Sequence, residues 1–190
     1  MANKATKVIT GEGIFSYLNC WEARAAEEGG TPKYSVSFVF PKKDKATYDK
    51  IMSAMKAAYE DGQSVLKGTS KVTPEFEDLQ LALRDGDEKY RKTGDEIYKD
   101  SWFVNASSKQ QPGIVDRNRV EILDRKEMYS GVIGRAAINF YPYNQKGNKG
   151  IAAGLNNLQK IRDGEALGGA SRAEDDFNDG YNPEDDDLFN

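Results

Sequence analysis

Apolar and polar residues change period several times along this chain, and each change predicts an element. From residue 33 to 40 the alternation is regular. Tyr34, Val36, Phe38 and Phe40 share one face, Ser35, Ser37 and Val39 share the other, and Pro41 ends the run. That is the pattern of a half-buried strand. Val8-Ile9-Thr10 and residues 13–18 also read as strand, with Gly11 and Gly13 at turn or bulge positions. Residues 23–30 are polar and run into Gly29-Gly30-Thr31-Pro32, a loop signal. The period then lengthens. Asp44 is placed to cap a helix in which Tyr48, Ile51, Met52, Met55, Ala58 and Tyr59 recur at three- and four-residue spacing, and Gly62 follows. Such a stripe predicts a core-facing helix rather than a cofactor site.

Beyond residue 72 the signals shorten. Leu79, Leu81 and Leu83 alternate, and Arg84-Asp85-Gly86-Asp87-Glu88 reads as a turn. Residues 101–107 alternate again, with Trp102, Val104 and Ala106 opposite Phe103, Asn105 and Ser107. Gly113-Ile114-Val115-Asp116 predicts a short strand. Residues 132–141 predict a long one, in which Val132, Gly134, Ala136, Ile138 and Phe140 oppose Arg135, Ala137, Asn139 and Tyr141. Residues 143–150 read as a polar turn, residues 151–161 as a further strand, and Asp163-Gly164 ends the body. No internal repeat is present. About six short strands and one clearly periodic helix predict a mainly β fold with one or two helices, a small barrel or sandwich with an inserted helix.

Composition removes most catalytic chemistry. The 190 residues include no histidine and one cysteine, Cys20. A serine triad, a Cys-His pair, a histidine-ligated zinc and an internal disulfide are all excluded. No P-loop is present, and Gly11-Glu12-Gly13 lacks the rest of a dinucleotide fingerprint. Residues 175–186 put Phe177 and Asp186 where a calcium loop needs an oxygen ligand and a glutamate. Asn105-Ala106-Ser107 fits a glycosylation acceptor, but no secretory h-region and no run of about 18 apolar residues accompany it. The expectation is a soluble cytoplasmic protein without catalytic activity, metal or cofactor.

Charge changes the picture further. Residues 173–190 carry eight acids and no cation, which leaves 27 basic and 23 acidic residues in 1–172, a body of +4 and a tail of −8. The tail has the composition of disorder. Its end, Asp185-Asp186-Asp187-Leu188-Phe189, places two large apolar side chains behind an acid run. That suits a linear motif: acids steer it to a basic patch and Phe189 anchors it.

Two strands carry an unusual second face. Phe103 shares its side with Asn105 and Ser107; Tyr141 shares its side with Arg135 and Asn139, with Tyr143 two residues on. Rings, amides and a cation on one face suit a single-stranded nucleic acid, whose bases stack and whose phosphates need cations. Lys109, Arg117, Arg119, Lys146 and Lys149 flank these strands and complete the candidate site. Phe38, Phe40 and Trp102 are assigned to core, and Trp21 fits either environment.

Several stretches resemble the bacteriophage single-stranded DNA-binding proteins. They are Trp102-Phe103-Val104-Asn105-Ala106-Ser107-Ser108-Lys109, Pro112-Gly113-Ile114-Val115-Asp116, Gly134-Arg135-Ala136-Ala137-Ile138-Asn139-Phe140-Tyr141-Pro142-Tyr143, and residues 147–160. The resemblance covers most of residues 8–169. It implies an OB-fold, a five-stranded Greek-key barrel, over residues 1–165, followed by a flexible acidic tail over 166–190. It also implies binding of single-stranded DNA with little sequence preference, protecting it in replication, recombination or repair in the cytoplasm of an infected bacterium. Tails of this plan end in an aromatic residue and recruit replication or recombination proteins; here Asn190 follows Phe189. The site residues rest on strand alternation alone. Weaker binding of duplex DNA or RNA and a homo-oligomeric state stay open. Two other readings are a structural phage protein whose aromatic face binds another protein, and a metal-dependent nuclease.

Overall fold

A computed structural model of the chain describes residues 4–168. The tail motif at Asp185, Asp186, Asp187, Leu188 and Phe189 lies outside the described residues. The elements in chain order are β1 (Lys7–Ile9), β2 (Gly13–Arg24), β3 (Lys33–Pro41), α1 (Lys45–Asp61), α2 (Gln63–Lys67), β4 (Gln80–Leu81) and β5 (Leu83–Asp85). There follow α3 (Gly86–Thr93), β6 (Ser101–Ser108), β7 (Gly113–Val115), β8 (Ile133–Gln145) and β9 (Asn148–Arg162).

Five strands close on themselves. β2 pairs antiparallel with β3, β3 with β6, β9 with β8, and β8 with the start of β2, while β6 runs parallel to β9. Numbered by strand, the ring reads first, second, third, fifth, fourth, with one parallel contact between third and fifth. This is the Greek-key closure of an OB-fold. The parallel contact is short, only Ala106↔Ala153 and Ser107↔Gly154. Around it, β5 pairs with the first half of β6, and β4 and β7 pair with the two ends of β9. β1 adds to the free edge of β8.

Alternation builds the barrel interior. Phe15, Phe38, Phe40, Ile138, Phe140 and Leu158 point inward and are buried. The rings of Phe15, Phe38 and Phe40 succeed one another at centroid separations of 6.1 and 5.8 Å. Gly13 admits this packing, because a Cβ there would fall 2.6 Å from the Phe38 ring. α1 adds Ile51, Ala54, Met55 and Ala58 to the same core. Its N-cap is Asp44, whose carboxylate accepts from Thr47 N at 3.0 Å, and Gly62 closes its C-terminus. Each large side chain so buried contributes about 1.5–3 kcal/mol.

Three features differ from the sequence reading. The segment after Leu83 continues as helix: Asp85 caps α3 by accepting from Asp87 N, and Gly94 ends it at φ 73°. Charged sequence hid this helix, since α3 exposes most of its surface. Packing of this segment on the sheet also buries both faces of β3 from Val36 to Phe40, so that strand is not half-buried. Finally, the polar stretch 143–150 is mostly strand. β8 and β9 extend to a two-residue turn, Lys146-Gly147, both at positive φ (51° and 86°). Such a turn matches the twist of a hairpin.

Cys20 is buried, and burial pushes its thiol pKa up to about 12, a backbone hydrogen bond opposing weakly. At pH 8 the folded protein should therefore leave a thiol-reactive chromogen unconsumed, while denaturant should release one reactive thiol per chain. Rapid labelling of the folded protein would contradict this placement.

Candidate nucleic-acid interface

The outer face of the barrel divides into a covered part and an open part. The cover is α3 and the turn after it. Tyr98 from that turn is fully buried, its hydroxyl within hydrogen-bond distance of Ser37 Oγ (3.3 Å) and Ser16 Oγ (3.4 Å). Its ring meets Phe103 edge-on at 5.2 Å, and with Val39 the two form a second small core. Lys42 pins the cover to the end of β3 through Asp85 (2.7 Å) and Asp87 (2.6 Å). Burial disfavours the Lys42 ammonium, but the two carboxylate hydrogen bonds outweigh it and raise its pKa. Hydrogen bonds from Lys42 and from the Asp100 N–H hold Asp87 below its ordinary value. Lys42 also lies 4.7 Å from the Trp102 ring centroid, and that ring packs on Tyr48.

Beyond the cover the floor is small and polar. One row of cross-strand partners spans all five barrel strands: Asn19↔Ser35, Ser35↔Ser107, Ser107↔Gly154 and Gly154↔Asn139. The next row places Ser37 opposite Asn105 and Ala152 opposite Tyr141. Small side chains let a ligand approach the sheet closely. Where β6 and β9 diverge around β4 and β5, a cleft of about 290 Å³ opens between Lys33, Arg84, Asn105, Tyr141, Tyr143 and Ala152. A second, wider cleft adjoins it through the shared Lys33, Ser107 and Gln145, and runs on past Arg24 and Lys109 under the β2–β3 loop. The groove so formed crosses the second and third barrel strands between the loops joining the first to the second and the fourth to the fifth. That is the surface on which OB-folds bind oligonucleotides.

Its electrostatics are one-sided. Arg24, Lys33, Arg84 and Lys109 line the two clefts against one acid, Glu27. None of the four cations forms an ion pair among the described residues. Tyr141 is 40% exposed, and the Tyr143 hydroxyl donates to Gln80 Oε1 at 3.0 Å, which orients its ring in the groove. Among the described residues no cluster of three or more potential metal ligands occurs, and no helix is long and apolar enough to cross a membrane.

The family of the Enterobacter phage Enc34 single-stranded DNA-binding protein matches residues 6–189. The chain belongs to that family. A relative, protein p50 of Acyrthosiphon pisum secondary endosymbiont phage 1, is 28% identical over 167 residues, covering 84% of this chain and 86% of the relative. Among solved structures, a C-terminal truncation of the bacteriophage Enc34 single-stranded DNA-binding protein matches with a TM-score of 0.70 at 21% identity, over 86% of this chain and 90% of that one. The Enc34 protein in complex with single-stranded DNA gives 0.68 at 23%, over 87% and 91%. Gp2.5, the single-stranded DNA-binding protein encoded by bacteriophage T7, gives 0.62 at 13%, over 90% and 99%. At these identities the likeness to the solved structures is one of fold.

In this Enc34-family protein the residues selected by strand alternation separate. Asn105, Tyr141 and Tyr143 line the narrower cleft and Lys109 the wider one. Asn139 sits at the end of the floor row, and Lys146 at the exposed tip of the β8–β9 turn. Arg119 and Arg135 line a different cleft with Ile9, Ala137 and Asn157, where Arg135 Nε donates to Thr10 O at 2.9 Å. Arg117 belongs to a further cleft beside Leu123 and Lys160, away from both tyrosines. Two residues face elsewhere. Phe103 is 5% exposed beneath the cover, so it cannot present a free ring. Lys149 Nζ donates to Lys67 O and Ser70 Oγ, which ties the hairpin to the α2 region instead of the groove. Trp21 also resolves as packing, its Nε1 donating to Met128 O.

Alternation missed Arg24, Lys33, Gln80 and Arg84. Lys33 was accessible in principle: it shares parity with Ser35 and Ser37 on the polar face of β3. Arg84 was not, because β5 reaches the groove only through its pairing with β6. The split between Phe103 and Tyr141 has a direct consequence for stability. Phe103→Ala should cost about 3–5 kcal/mol in urea unfolding, whereas Tyr141→Ala should cost little. Equal costs would contradict the division of the face.

Proposed function

We propose that this chain binds single-stranded DNA, largely without regard to sequence, along the groove formed by the two adjoining clefts. The observation that carries the reading is the meeting of two groove tyrosines with four unpaired cations on the open OB face. Family membership supports it, as does the solved complex of the Enc34 relative with single-stranded DNA. Bases stack on Tyr141 and Tyr143, each stacked base contributing roughly 1–3 kcal/mol, while Lys33, Arg84, Arg24 and Lys109 neutralise phosphates. Asn105 and Asn139 supply hydrogen bonds from the floor, and Lys146 reaches the strand from the turn. Arg119 and Arg135 serve a strand that continues past Asn139. Every base has a stacking face, so this chemistry tolerates any sequence.

The acidic tail completes the reading. At −8 against a body of +4, it competes with DNA for the groove and, once displaced, offers Leu188 and Phe189 to replication or recombination proteins of the infected host. The protein thereby protects unpaired phage DNA and brings enzymes to it.

Titration with oligo-dT, followed by intrinsic fluorescence, tests both parts. Tyr141→Ala and Tyr143→Ala should each weaken binding by about 1–3 kcal/mol. Lys33→Ala should lower the slope of log K against log salt by about 0.7. Unchanged affinity in a Tyr141→Ala, Tyr143→Ala double variant would remove the groove from consideration. A chain ending at Arg172 should bind more tightly than the full chain at low salt, with the difference fading as salt screens the tail. Equal affinities at low salt would eliminate tail competition.

A further inference from the structure

A strained residue stands on β2, two positions before Asn19, which lines the wider cleft. β2 pairs with β3 through Ser16↔Ser37 and then Asn19↔Ser35, so three residues of β2 advance against two of β3. Tyr17 sits in this bulge with φ of 47°, a left-handed backbone that ring-bearing residues rarely adopt. The bulge itself asks only for a permissive backbone, which glycine or asparagine would supply without strain. A tyrosine is there instead, and the residue is 62% exposed. Among the described residues, Tyr17 and Tyr141 are the aromatic side chains that stand exposed.

The surroundings of the ring match a nucleotide. Lys89 of α3 holds its ammonium 4.8 Å from the Tyr17 ring centroid, 4.1 Å from that of Tyr98 and 5.1 Å from that of Phe103. Tyr98 belongs to the cover on the outer face and Phe103 lies directly beneath it, so the Tyr17 ring stands on that face too. Lys89 forms no ion pair among the described residues. Asn19 links the bulge to the groove, its Nδ2 donating to Tyr17 O at 3.3 Å and to Ser35 Oγ at 3.2 Å. Ser35 lines the wider cleft. From β2 to β8 the open face crosses four strand spacings, about 19 Å along the curved sheet.

We infer that Tyr17 is a further base-stacking position, with Lys89 beside it for the adjoining phosphate. The inference rests on the single-stranded DNA reading above and extends the strand's path across the whole open face. Tyr141 and Tyr143 hold bases at one margin, small residues pass the backbone over the floor, and Tyr17 holds a base at the other. Backbone strain at Tyr17 is then kept for ligand contact, which is where such strain collects in proteins.

The test compares wild type, Tyr17→Gly, Tyr17→Asn, Tyr17→Phe and Tyr141→Ala, each titrated with oligo-dT of about 5 and about 16 nucleotides. Thermal melting of each variant accompanies the titrations. Gly and Asn accept the left-handed backbone, so both variants should melt at or above the wild-type temperature. Both should bind the longer oligonucleotide roughly five- to hundredfold more weakly. Tyr17→Phe, which keeps the ring, should bind it like wild type. The shorter oligonucleotide, held at Tyr141, should lose affinity in Tyr141→Ala and little in Tyr17→Gly. If Tyr141→Ala weakens binding while Tyr17→Gly and Tyr17→Asn bind the longer strand like wild type, Tyr17 is no contact and the groove reading stands without it. Wild type that binds neither oligonucleotide would overturn both. Weak binding by Tyr17→Phe as well would assign the effect to the hydroxyl and overturn stacking.

Discussion

The short parallel contact between β6 and β9 closes the barrel and sets where its groove can open. Two residue pairs close the barrel there, Ala106↔Ala153 and Ser107↔Gly154, because β5 occupies the first half of β6 and β4 the start of β9. A barrel closed so narrowly must open a cleft beside the closure. It must also place small side chains at the contact, where the two strands meet. The groove is thus a by-product of how the fifth strand reaches the third. Its walls come from whatever the inserted strands bring: Gln80 and Leu81 from β4, Arg84 from β5.

The second organising feature is the cover on the outer face. Phe103 and Asn105 have the same parity on β6, yet one is core and the other lines the groove. Only the segment carrying α3 and Tyr98 separates their fates. The Lys42 ion pairs hold that segment at its start, and the Tyr98 hydroxyl holds it at its end. Because their oppositely charged partners are close and hydrogen-bonded, Lys42 and Asp87 both favour their charged forms. Lys89 then sits between the cover and the open face, shared by three rings.

Net charge conceals this arrangement. The chain as a whole is at −4, yet the groove is lined by four unpaired cations and one acid. Elsewhere cations are spent on structure: Lys160 is paired with Glu127 and Asp163, Arg162 with Glu12, and Lys149 with backbone near α2. The distinction between a structural cation and one left for a ligand is set by its neighbours, and those neighbours come from distant parts of the chain.

Local alternation, capping and turn chemistry are written in consecutive residues. The mainly β class, α1 with its Asp44 cap, the inward sets on β3 and β8, and the candidacy of Asn105, Tyr141 and Tyr143 are therefore legible from the residues alone. So is the charge split between body and tail. The extent of β8 and β9 was less legible, because a polar hairpin tip resembles a loop until cross-strand pairing extends it. The remainder depends on how distant segments pack. Alternation assigns a residue to one of two faces of a strand; it does not say whether another segment covers that face. Hence Phe103 shares the parity of the open face yet lies buried under Tyr98, and Lys149 flanks the groove strands yet faces α2. Arg84, Lys33 and Tyr17 gained their places by the same route, through strand pairings between residues far apart in sequence, which no local period records.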